Sequence, residues 1–238
     1  MAVDIREREV LMGVDCPDVE AALRRGDRVA IVVRHAERPP LEKDDPTFGE
    51  RLPITRQGQV AADAFGFVLK EFSVGCDCRV HSCHMKRCRM TAQAISAAID
   101  PAGSGGYLLD DILGGASPYF GDVSERMALA DRGDYRRSLN EYFENGRQKG
   151  FSDLAEATDR FEEYLWNGHP QLSSAPLHVY VTHDINVGCF LAGRKVVTAF
   201  DDSSWPHFLD AAVAFFSAEG RVRYGYMRHS DGNYVLSL

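Results

Sequence analysis

A histidine between two arginines follows an apolar run early in this chain of 238 residues. The run 29–33 contains only Val, Ala and Ile, and Arg34, His35 and Arg38 come directly after it. Guanidinium groups bind phosphate or carboxylate through paired hydrogen bonds, and a neutral imidazole is able to attack phosphorus as a nucleophile. A lone histidine here would be typical of an ordinary loop, but the two arginines favour an anion site.

Two later runs of the chain end in residues of the same kind. Arg87 follows the run 77–82 at the predicted start of a helix, and His183 and Asp184 follow the run Leu177–Thr182. The carboxyl ends of parallel strands meet at one edge of a sheet, so we expect these side chains to converge. A helix N-terminus would add to the positive charge around Arg87. Two histidines and three arginines in one pocket suit phosphoryl transfer without a metal ion.

The elements around these residues predict an α/β fold. The run 29–33 has no alternation, which is typical of a parallel strand buried on both faces. We expect a helix from a Thr55 cap to about Phe72, a strand at 77–82 and a helix over Lys86–Ile99. This order predicts a three-layer αβα sandwich with a mostly parallel central sheet.

The remaining segments predict additions to this sandwich. The stretch 122–166 is expected to be helical almost throughout, because apolar residues recur along one face: Leu154, Ala157, Phe161 and Leu165. We interpret it as a helical insertion, or subdomain, within a single domain over 1–238. A short helix is expected over 18–25 and a third strand at 107–109. The runs 211–217 and 221–227 predict an antiparallel hairpin at one edge of the sheet.

The charge of the chain excludes several kinds of partner. It has 27 basic and 35 acidic residues, a formal net charge of -8. This balance argues against nucleic acid and anionic membranes as partners, so an anion site must be a local basic pocket. No apolar run approaches the length of a membrane span, and the charged segment 1–15 lacks a signal-peptide core. We therefore expect a cytoplasmic protein.

A cluster of thiols and imidazoles offers a competing metal hypothesis. Four of the six cysteines and two histidines lie close together in the sequence: Cys76, Cys78, Cys83, Cys88, His81 and His84. Their spacing is not the paired C-x-x-C of structural zinc sites, and a strand running into a helix would scatter the thiols over different faces. We expect free thiols and no metal or cofactor.

Taken in order, these motifs resemble the histidine phosphatase superfamily, also called the phosphoglycerate mutase-like fold. The resemblance extends from about residue 28 to residue 227. A second arginine three residues after the histidine, followed by proline, resembles the acid-phosphatase branch more than the mutase branch. Alanine replaces the glycine of the family's Arg-His-Gly motif. The matching segments are Arg34-His35-Ala36, Arg38-Pro39, Ile54-Thr55-Arg56-Gln57-Gly58, 82–92 with Arg87 and Thr91, and Thr182-His183-Asp184.

The resemblance implies a role for each site residue. His35 would be the nucleophile that becomes phosphorylated. Four residues would hold the phosphoryl oxygens: Arg34, Arg38, Arg87 and His183. Asp184 is favoured as the proton donor, with a pKa raised by the adjacent phosphate pocket. In the mutase branch an acid from the segment after the second helix serves instead, which leaves four alternatives: Asp110, Asp111, Asp122 and Glu125.

Together these expectations describe a phosphomonoesterase that hydrolyses a phosphorylated small molecule through a phosphohistidine intermediate. Two alternatives stay open: a phosphomutase that returns the phosphoryl group to its substrate, and a phosphate-binding protein that has lost turnover. Arg38 disfavours the mutase, because mutases usually have a small polar residue there. Substrate specificity would come from the loop 41–53 and the helical insertion.

Overall fold

The computed structural model describes residues 7–42, 45, 47, 49–73, 75–102, 106–122, 124–125, 135–167 and 175–229. Within these residues, seven strands form one sheet: β1 Glu7–Val10, β2 Arg28–Arg34, β3 Cys78–Ser82, β4 Leu108–Leu109, β5 Leu177–Thr182, β6 Ala211–Phe216 and β7 Arg221–Met227. The named helices are α1 Cys16–Arg24, α2 Arg56–Phe72, α3 Lys86–Ile99, α4 Tyr135–Asn145, α5 Leu154–Asn167 and α6 Asp184–Gly193, with a 3₁₀ turn at Asp111–Leu113.

The sheet has the strand order β1-β7-β6-β2-β5-β3-β4. Only β6 pairs antiparallel with its neighbours among these seven strands, so the other six point the same way. The mostly parallel α/β sandwich is confirmed. The β6–β7 hairpin lies on one side of the sheet, and β1, which the sequence did not predict, adds a parallel strand outside it.

Helices cover both faces of the sheet. Strands β5 and β6 are buried along their whole length, and β2 is buried except at its two end residues. The crossovers through α2 and α3 proceed from β2 to β3 and β4, whereas the chain returns to β5 through α4 and α5. Right-handed crossovers in opposite directions place their helices on opposite faces. Accordingly α1, α2 and α3 pack together, and α5 and α6 pack together with α4 against α6.

The helix starts follow their capping residues. Thr55 caps α2, since its hydroxyl oxygen accepts from Gly58 N at 2.9 Å, and α2 ends at Phe72 as predicted. Helix α1 begins earlier than expected. Asp15 is the N-cap and forms a reciprocal capping box with Asp18, so the helix starts at Cys16 rather than at Asp18.

The stretch 122–166 contains α4 and α5, while 123 and 126–134 lie outside the described residues. The apolar face expected on α5 is buried as predicted: Leu154, Ala157, Phe161 and Leu165. Residues 146–153 between the helices form turns and one bridge, from Phe151 to Phe120. The single-domain organisation with a helical subdomain stays a prediction. Among the described helices, none has the length and apolar character needed to span a bilayer.

Candidate active site

His35 lies at the centre of the site and is oriented by its own backbone. Strand β2 pairs with β5 so that Arg34 faces Thr182, and His35 N donates to Thr182 O at 2.9 Å just beyond that pair. The side chain is 3% exposed. Its Nδ1 lies 2.8 Å from the Ala36 carbonyl oxygen, which accepts only, so Nδ1 carries the proton. The Nε2 atom is then left with its lone pair and accepts from Arg87 Nε at 3.0 Å.

The surroundings keep this imidazole uncharged. Burial lowers the pKa of His35 well below its ordinary value, and the charges of His183, Arg87 and Arg34 lower it further. The hydrogen bond to the Ala36 carbonyl acts in the opposite direction and is outweighed. His35 is therefore a neutral imidazole at physiological pH, which is the form that attacks an electrophile once Nε2 is released from Arg87.

The loop after His35 is fixed by the first turns of two helices. Ala36 N donates to the Thr91 hydroxyl oxygen at 3.0 Å, and that hydroxyl donates to Arg87 O at 2.8 Å within α3. Thr55 donates to Glu37 Oε2 at 2.8 Å. A Cβ on Gly58 would lie 2.4 Å from the Glu37 carbonyl oxygen, so only glycine lets α2 approach this loop.

Arg34 is held mainly by a loop that follows α6. Its Nη1 donates to Pro206 O at 2.6 Å, and its Nη2 lies 3.3 Å from Asp184 Oδ2. The guanidinium carbon lies 4.4 Å from the Phe208 ring centroid. Arg34 Nε is buried and has no hydrogen-bond partner among the described residues. This nitrogen is a donor that an anion in the site could satisfy.

Arg87 is in direct contact with both histidines. Besides the bond to His35, its Nη1 donates to Gly49 O at 2.6 Å and its Nη2 lies 3.4 Å from His183 Nδ1. The residue is 7% exposed, since α3 begins at Lys86 and turns this side chain inward. Its position in the first turn of α3 agrees with the prediction from the sequence.

The three arginines crowd positive charge into one place. Arg38 donates to Pro39 O at 2.7 Å, and the pKa of its guanidinium is lowered by burial and then by the charges of Arg87 and Arg34. The carboxylate of Asp184 offsets only part of this effect. Converging guanidinium groups repel one another unless an anion lies between them, which is the electrostatic signature of a phosphate or carboxylate site.

His183 and Asp184 lie where β5 ends and α6 begins. The imidazole centroids of His183 and His35 are 5.5 Å apart. The Asp184 carboxylate accepts from Trp205 Nε1 at 3.2 Å through Oδ2 and from Ile185 N at 3.0 Å through Oδ1. The predicted convergence of the three strand ends is therefore present: Arg34, His35, Arg38, Arg87, His183 and Asp184 lie in one cluster.

The charge state of Asp184 differs from the expectation. Burial raises the pKa of its carboxyl, but the charge of Arg34 and the hydrogen bond from Trp205 are the main effects that outweigh burial and hold the pKa below its ordinary value. The Asp184 side chain is 34% exposed. The expectation of a raised pKa is wrong for this arrangement, since Asp184 forms an ion pair with Arg34.

The four alternative acids are engaged in other interactions. Asp110 caps the 3₁₀ turn and accepts from Tyr164, and Asp111 pairs with His84 at 2.9 Å. Asp122 accepts from Glu125 N at 3.0 Å, and Glu125 pairs with Lys149 at 2.7 Å. Among the contacts of described residues, none joins these four acids to His35 or to the three arginines. The site contacts thus favour Asp184 over them.

Within the cysteine cluster, the structure brings Cys83 and Cys88 together, apart from Cys76 and Cys78. The six cysteines are free thiols, as predicted, and each is buried or half-buried. Cys83 and Cys88 lie together beside His183, with the ligand atoms of all three residues within 4.8 Å of one another. A hydrogen bond from Cys88 lowers the pKa of the Cys83 thiol, while burial raises the pKa of the Cys88 thiol. The expectation that the thiols are scattered is wrong for this pair.

Trp205, Phe208 and Pro206 were not identified from the sequence. They lie in the segment 194–210, whose polar and aromatic residues show no periodicity. The loop is held in place through Asp210, a fully buried carboxylate that accepts from His207 N, His229 N and the Tyr226 hydroxyl. Trp205 is one of only two tryptophans in the chain, and this rarity was the signal that could have pointed to the segment 194–210 from the sequence.

The fold of this chain is similar to that of several solved structures. No protein-family model and no curated protein sequence matches the chain. Solved structures do match. A phosphoserine phosphatase from Entamoeba histolytica, in complex with 3-phosphoglyceric acid, is 16% identical with a TM-score of 0.51, over 84% of this chain and 96% of that chain. A mycobacterial glucosyl-3-phosphoglycerate phosphatase in complex with VO3 is also 16% identical with a TM-score of 0.50, over 84% and 98%.

These similarities confirm the class of fold. The chain has the same fold as these two phosphatases, which agrees with the phosphoglycerate mutase-like fold that the motifs implied. The assignment to the acid-phosphatase branch stays a prediction. At this level of identity the similarity concerns the fold, so the activity has to be argued from the residues of the site.

Proposed function

We propose that this protein is a phosphomonoesterase that works through a phosphohistidine at His35. The observation that carries the proposal is the tautomer of His35: its Nδ1 proton is held by Ala36 O, so the Nε2 lone pair points toward Arg87. A nucleophilic nitrogen that faces guanidinium groups is suited to an electrophile with negatively charged oxygens. A phosphoryl group is such an electrophile.

The residues support a reaction in two steps. His35 Nε2 attacks phosphorus, the bond from phosphorus to the ester oxygen breaks, and the leaving alcohol takes a proton from Asp184. Water then attacks the phosphohistidine, gives a proton back to Asp184, and releases inorganic phosphate and neutral His35. In both steps four side chains would hold the non-bridging oxygens: Arg34, Arg38, Arg87 and His183.

Substrate binding would change the protonation of Asp184. In the free site Asp184 is paired with Arg34, and this pairing lowers its pKa. A bound phosphate dianion would compete for the Arg34 donors and place negative charge beside the carboxylate, and both changes raise the pKa. Proton donation by Asp184 is thus coupled to occupation of the site.

The substrate we propose is a small phosphate ester in the cytoplasm. The negative net charge of the chain disfavours a nucleic-acid or membrane-bound substrate, whereas Arg34, Arg38 and Arg87 give the site a local positive charge. Two structures of similar fold are complexes with 3-phosphoglyceric acid and with VO3, a small phosphorylated acid and an oxyanion.

Trapping the intermediate tests the proposal. Enzyme quenched during turnover of a ³²P-labelled ester should carry phosphate that is labile in acid and stable in base, as expected for a bond to nitrogen. His35→Ala should abolish the label and lower kcat by about 10⁴-fold or more, as deletion of a catalytic nucleophile does in other enzymes. His84→Ala is the matched control, because His84 is exposed and pairs with Asp111.

Three outcomes would contradict the proposal. An alkali-labile label would indicate either a phosphate ester on Ser or Thr or an acyl phosphate, rather than a phosphohistidine. A His35→Ala variant with a rate near that of the parent would show that the imidazole is not the nucleophile. Return of labelled phosphate to a second substrate molecule would instead favour the mutase.

A further inference from the structure

The pair Cys83 and Cys88 is unused by the proposed reaction, although it lies against a residue of the site. Cys83 Sγ is 3.4 Å from His183 Nε2, and Cys88 Sγ is 3.8 Å from the same nitrogen. The two cysteines are 1% and 0% exposed. Buried thiols usually pack against apolar groups, so two thiols directed at one imidazole need a separate explanation.

The backbone brings these three side chains together. Strand β3 pairs with β5 so that Ser82 faces Val181, and Cys83 N donates to Val181 O at 3.4 Å. Cys83 therefore lies beside the end of β5, where His183 follows. Cys88 lies in the first turns of α3 and its thiol is 3.6 Å from Thr182 O. Rigid elements thus hold all three donors before any ligand binds.

The distances match those of a tetrahedral metal site. With Zn–N of about 2.0–2.1 Å and Zn–S of about 2.3 Å, ligand nitrogen and sulfur atoms at the tetrahedral angle lie about 3.6 Å apart. The distances from the two sulfurs to His183 Nε2, 3.4 and 3.8 Å, lie on either side of that value. Cys88 Sγ is also 3.9 Å from His183 Nδ1 and so lies over the ring face, which means that the Cys88 thiol has to rotate toward Nε2 to bind the metal. The third edge, between the sulfurs, is within 4.8 Å.

From this geometry we infer that Cys83, Cys88 and His183 form a binding site for a soft divalent cation such as Zn²⁺, with a fourth position open, and that the bound cation inhibits the phosphatase. Two thiolates and a neutral imidazole balance the charge of the ion, so a bound cation adds no net charge beside the arginines. Each cysteine that is protonated before binding releases its proton to solvent and binds the metal as thiolate. The inhibitory part rests on the proposed function.

The bound cation would inhibit because it changes the protonation and the contacts of His183. A metal on Nε2 of a neutral imidazole requires the proton to be on Nδ1. His183 Nδ1 is 3.4 Å from Arg87 Nη2, so two N–H donors would then face each other and this contact would be lost. With the metal on Nε2, His183 could not be an imidazolium, so it would offer the phosphoryl oxygens a neutral N–H instead of a charged one. The cation and the second proton of His183 therefore compete for Nε2.

Cobalt titration tests the site without any assay of turnover. Metal-free protein kept reduced with a phosphine should bind one equivalent of Co²⁺ and develop a thiolate-to-cobalt charge-transfer band together with intense tetrahedral visible bands. Cys83→Ser and Cys88→Ser should each weaken binding by about 100-fold or more, since even supporting partners of a ligand are worth 10–100-fold. Cys76→Ser, at a half-buried cysteine outside the site, is the matched control and should bind like the parent.

A second measurement covers the case in which a serine variant folds poorly. Cd²⁺ added to the parent chain should give a sulfur-to-cadmium band of the strength expected for two thiolates. Absence of both the cobalt and the cadmium bands would overturn the site, and so would equal binding by the parent and a Cys83→Ser/Cys88→Ser double variant.

The inhibitory role is then measured by activity. Saturating Zn²⁺ should lower kcat/KM by about 10²-fold in the parent and in Cys76→Ser, comparable to loss of one oxyanion donor, and excess chelator should restore it. In Cys83→Ser, Zn²⁺ should change the rate little relative to the same variant without zinc. Metal bands without inhibition, or activity that requires zinc, would overturn the inhibitory role. A chain that binds cobalt but shows no phosphohistidine would contradict only the proposed function.

Discussion

The two sides of the candidate site are held by different means. On the Arg34 side, formed by Arg34 and Asp184, the partners are residues of the loop that follows α6: Pro206 O, Trp205 Nε1 and the Phe208 ring. On the Arg87 side, formed by Arg87 and His183, the partners of Arg87 include the nucleophile itself. The Arg34 side is therefore fixed by residues of that loop, while on the Arg87 side the guanidinium is hydrogen-bonded to the nucleophile.

This difference has a consequence for ligand binding. Arg34 Nε is buried and has no partner among the described residues, so it is able to donate to a phosphoryl oxygen while Nη1 keeps its bond to Pro206 O. Arg87, in contrast, has to give up its bond to His35 Nε2 before that nitrogen is able to attack. Binding on the Arg87 side is therefore an exchange of hydrogen bonds, and we expect substitutions there to affect the chemical step most.

The largest effect is expected for Arg87→Ala. It removes a donor to the phosphoryl oxygens and the group that faces the His35 lone pair, so kcat/KM for 4-nitrophenyl phosphate should fall by about 10³-fold, the upper range for one such donor. Arg34→Ala should cost less. Arg87→Lys keeps the charge but loses the fork geometry and should recover only part of the rate. Equal losses for Arg34→Ala and Arg87→Ala would contradict the comparison.

A smaller and selective effect is expected for Asp184→Asn. The variant cannot donate a proton, so kcat for an alkyl phosphate should fall by about 10²-fold, while 4-nitrophenyl phosphate, whose leaving group hardly needs a proton, should be much less affected. The ratio of the two rates is the measurement. Equal slowing of both substrates would remove Asp184 from the acid role, and the same assay on Asp122→Asn and Glu125→Gln would then test those alternatives.

The smallest effect is expected for Trp205→Phe, which keeps the ring but removes the N–H to Asp184. That hydrogen bond stabilises the carboxylate and lowers its pKa, so its loss should raise the pKa. A raised pKa keeps the acid protonated to higher pH. The basic limb of the kcat profile for an alkyl phosphate should therefore move upward in pH, with only a several-fold change in maximal kcat. An unchanged limb would show that Trp205 only packs.

The fold was predictable where burial leaves a pattern. Strand β6 and the run 29–33 of β2 are uninterrupted apolar runs because both faces of the sheet are covered there, β5 is mostly apolar with His178 inside it, and the helices have capping residues and apolar faces. Strand β1 could not be found this way. All four of its residues are exposed, and the segment Glu7–Val10 is mostly charged, so only its pairing with β7 makes it a strand.

The site was predictable in part for a related reason. Residues at the ends of parallel strands converge whatever the loops do, and this brought Arg34, His35 and His183 together. Contacts from the segment 194–210 leave no such trace. The metal hypothesis grouped cysteines by their nearness in the sequence, whereas the third ligand of Cys83 and Cys88 is His183, 100 residues after Cys83. Likewise, the pKa of Asp184 depends on its pairing with Arg34, which the motif does not show.

The position of β2 in the sheet also bears on how the protein is synthesised. Its neighbours are β5 and β6, and Arg28 at the start of β2 contacts His178, 150 residues further along the chain. During translation the strand that leads to His35 thus has no pairing partner until most of the chain has been made. Such non-local pairing slows folding and leaves an apolar strand edge open to other chains. Premature termination before Ala211 would leave that edge permanently exposed, and the truncated product should aggregate rather than persist as a partly folded phosphatase.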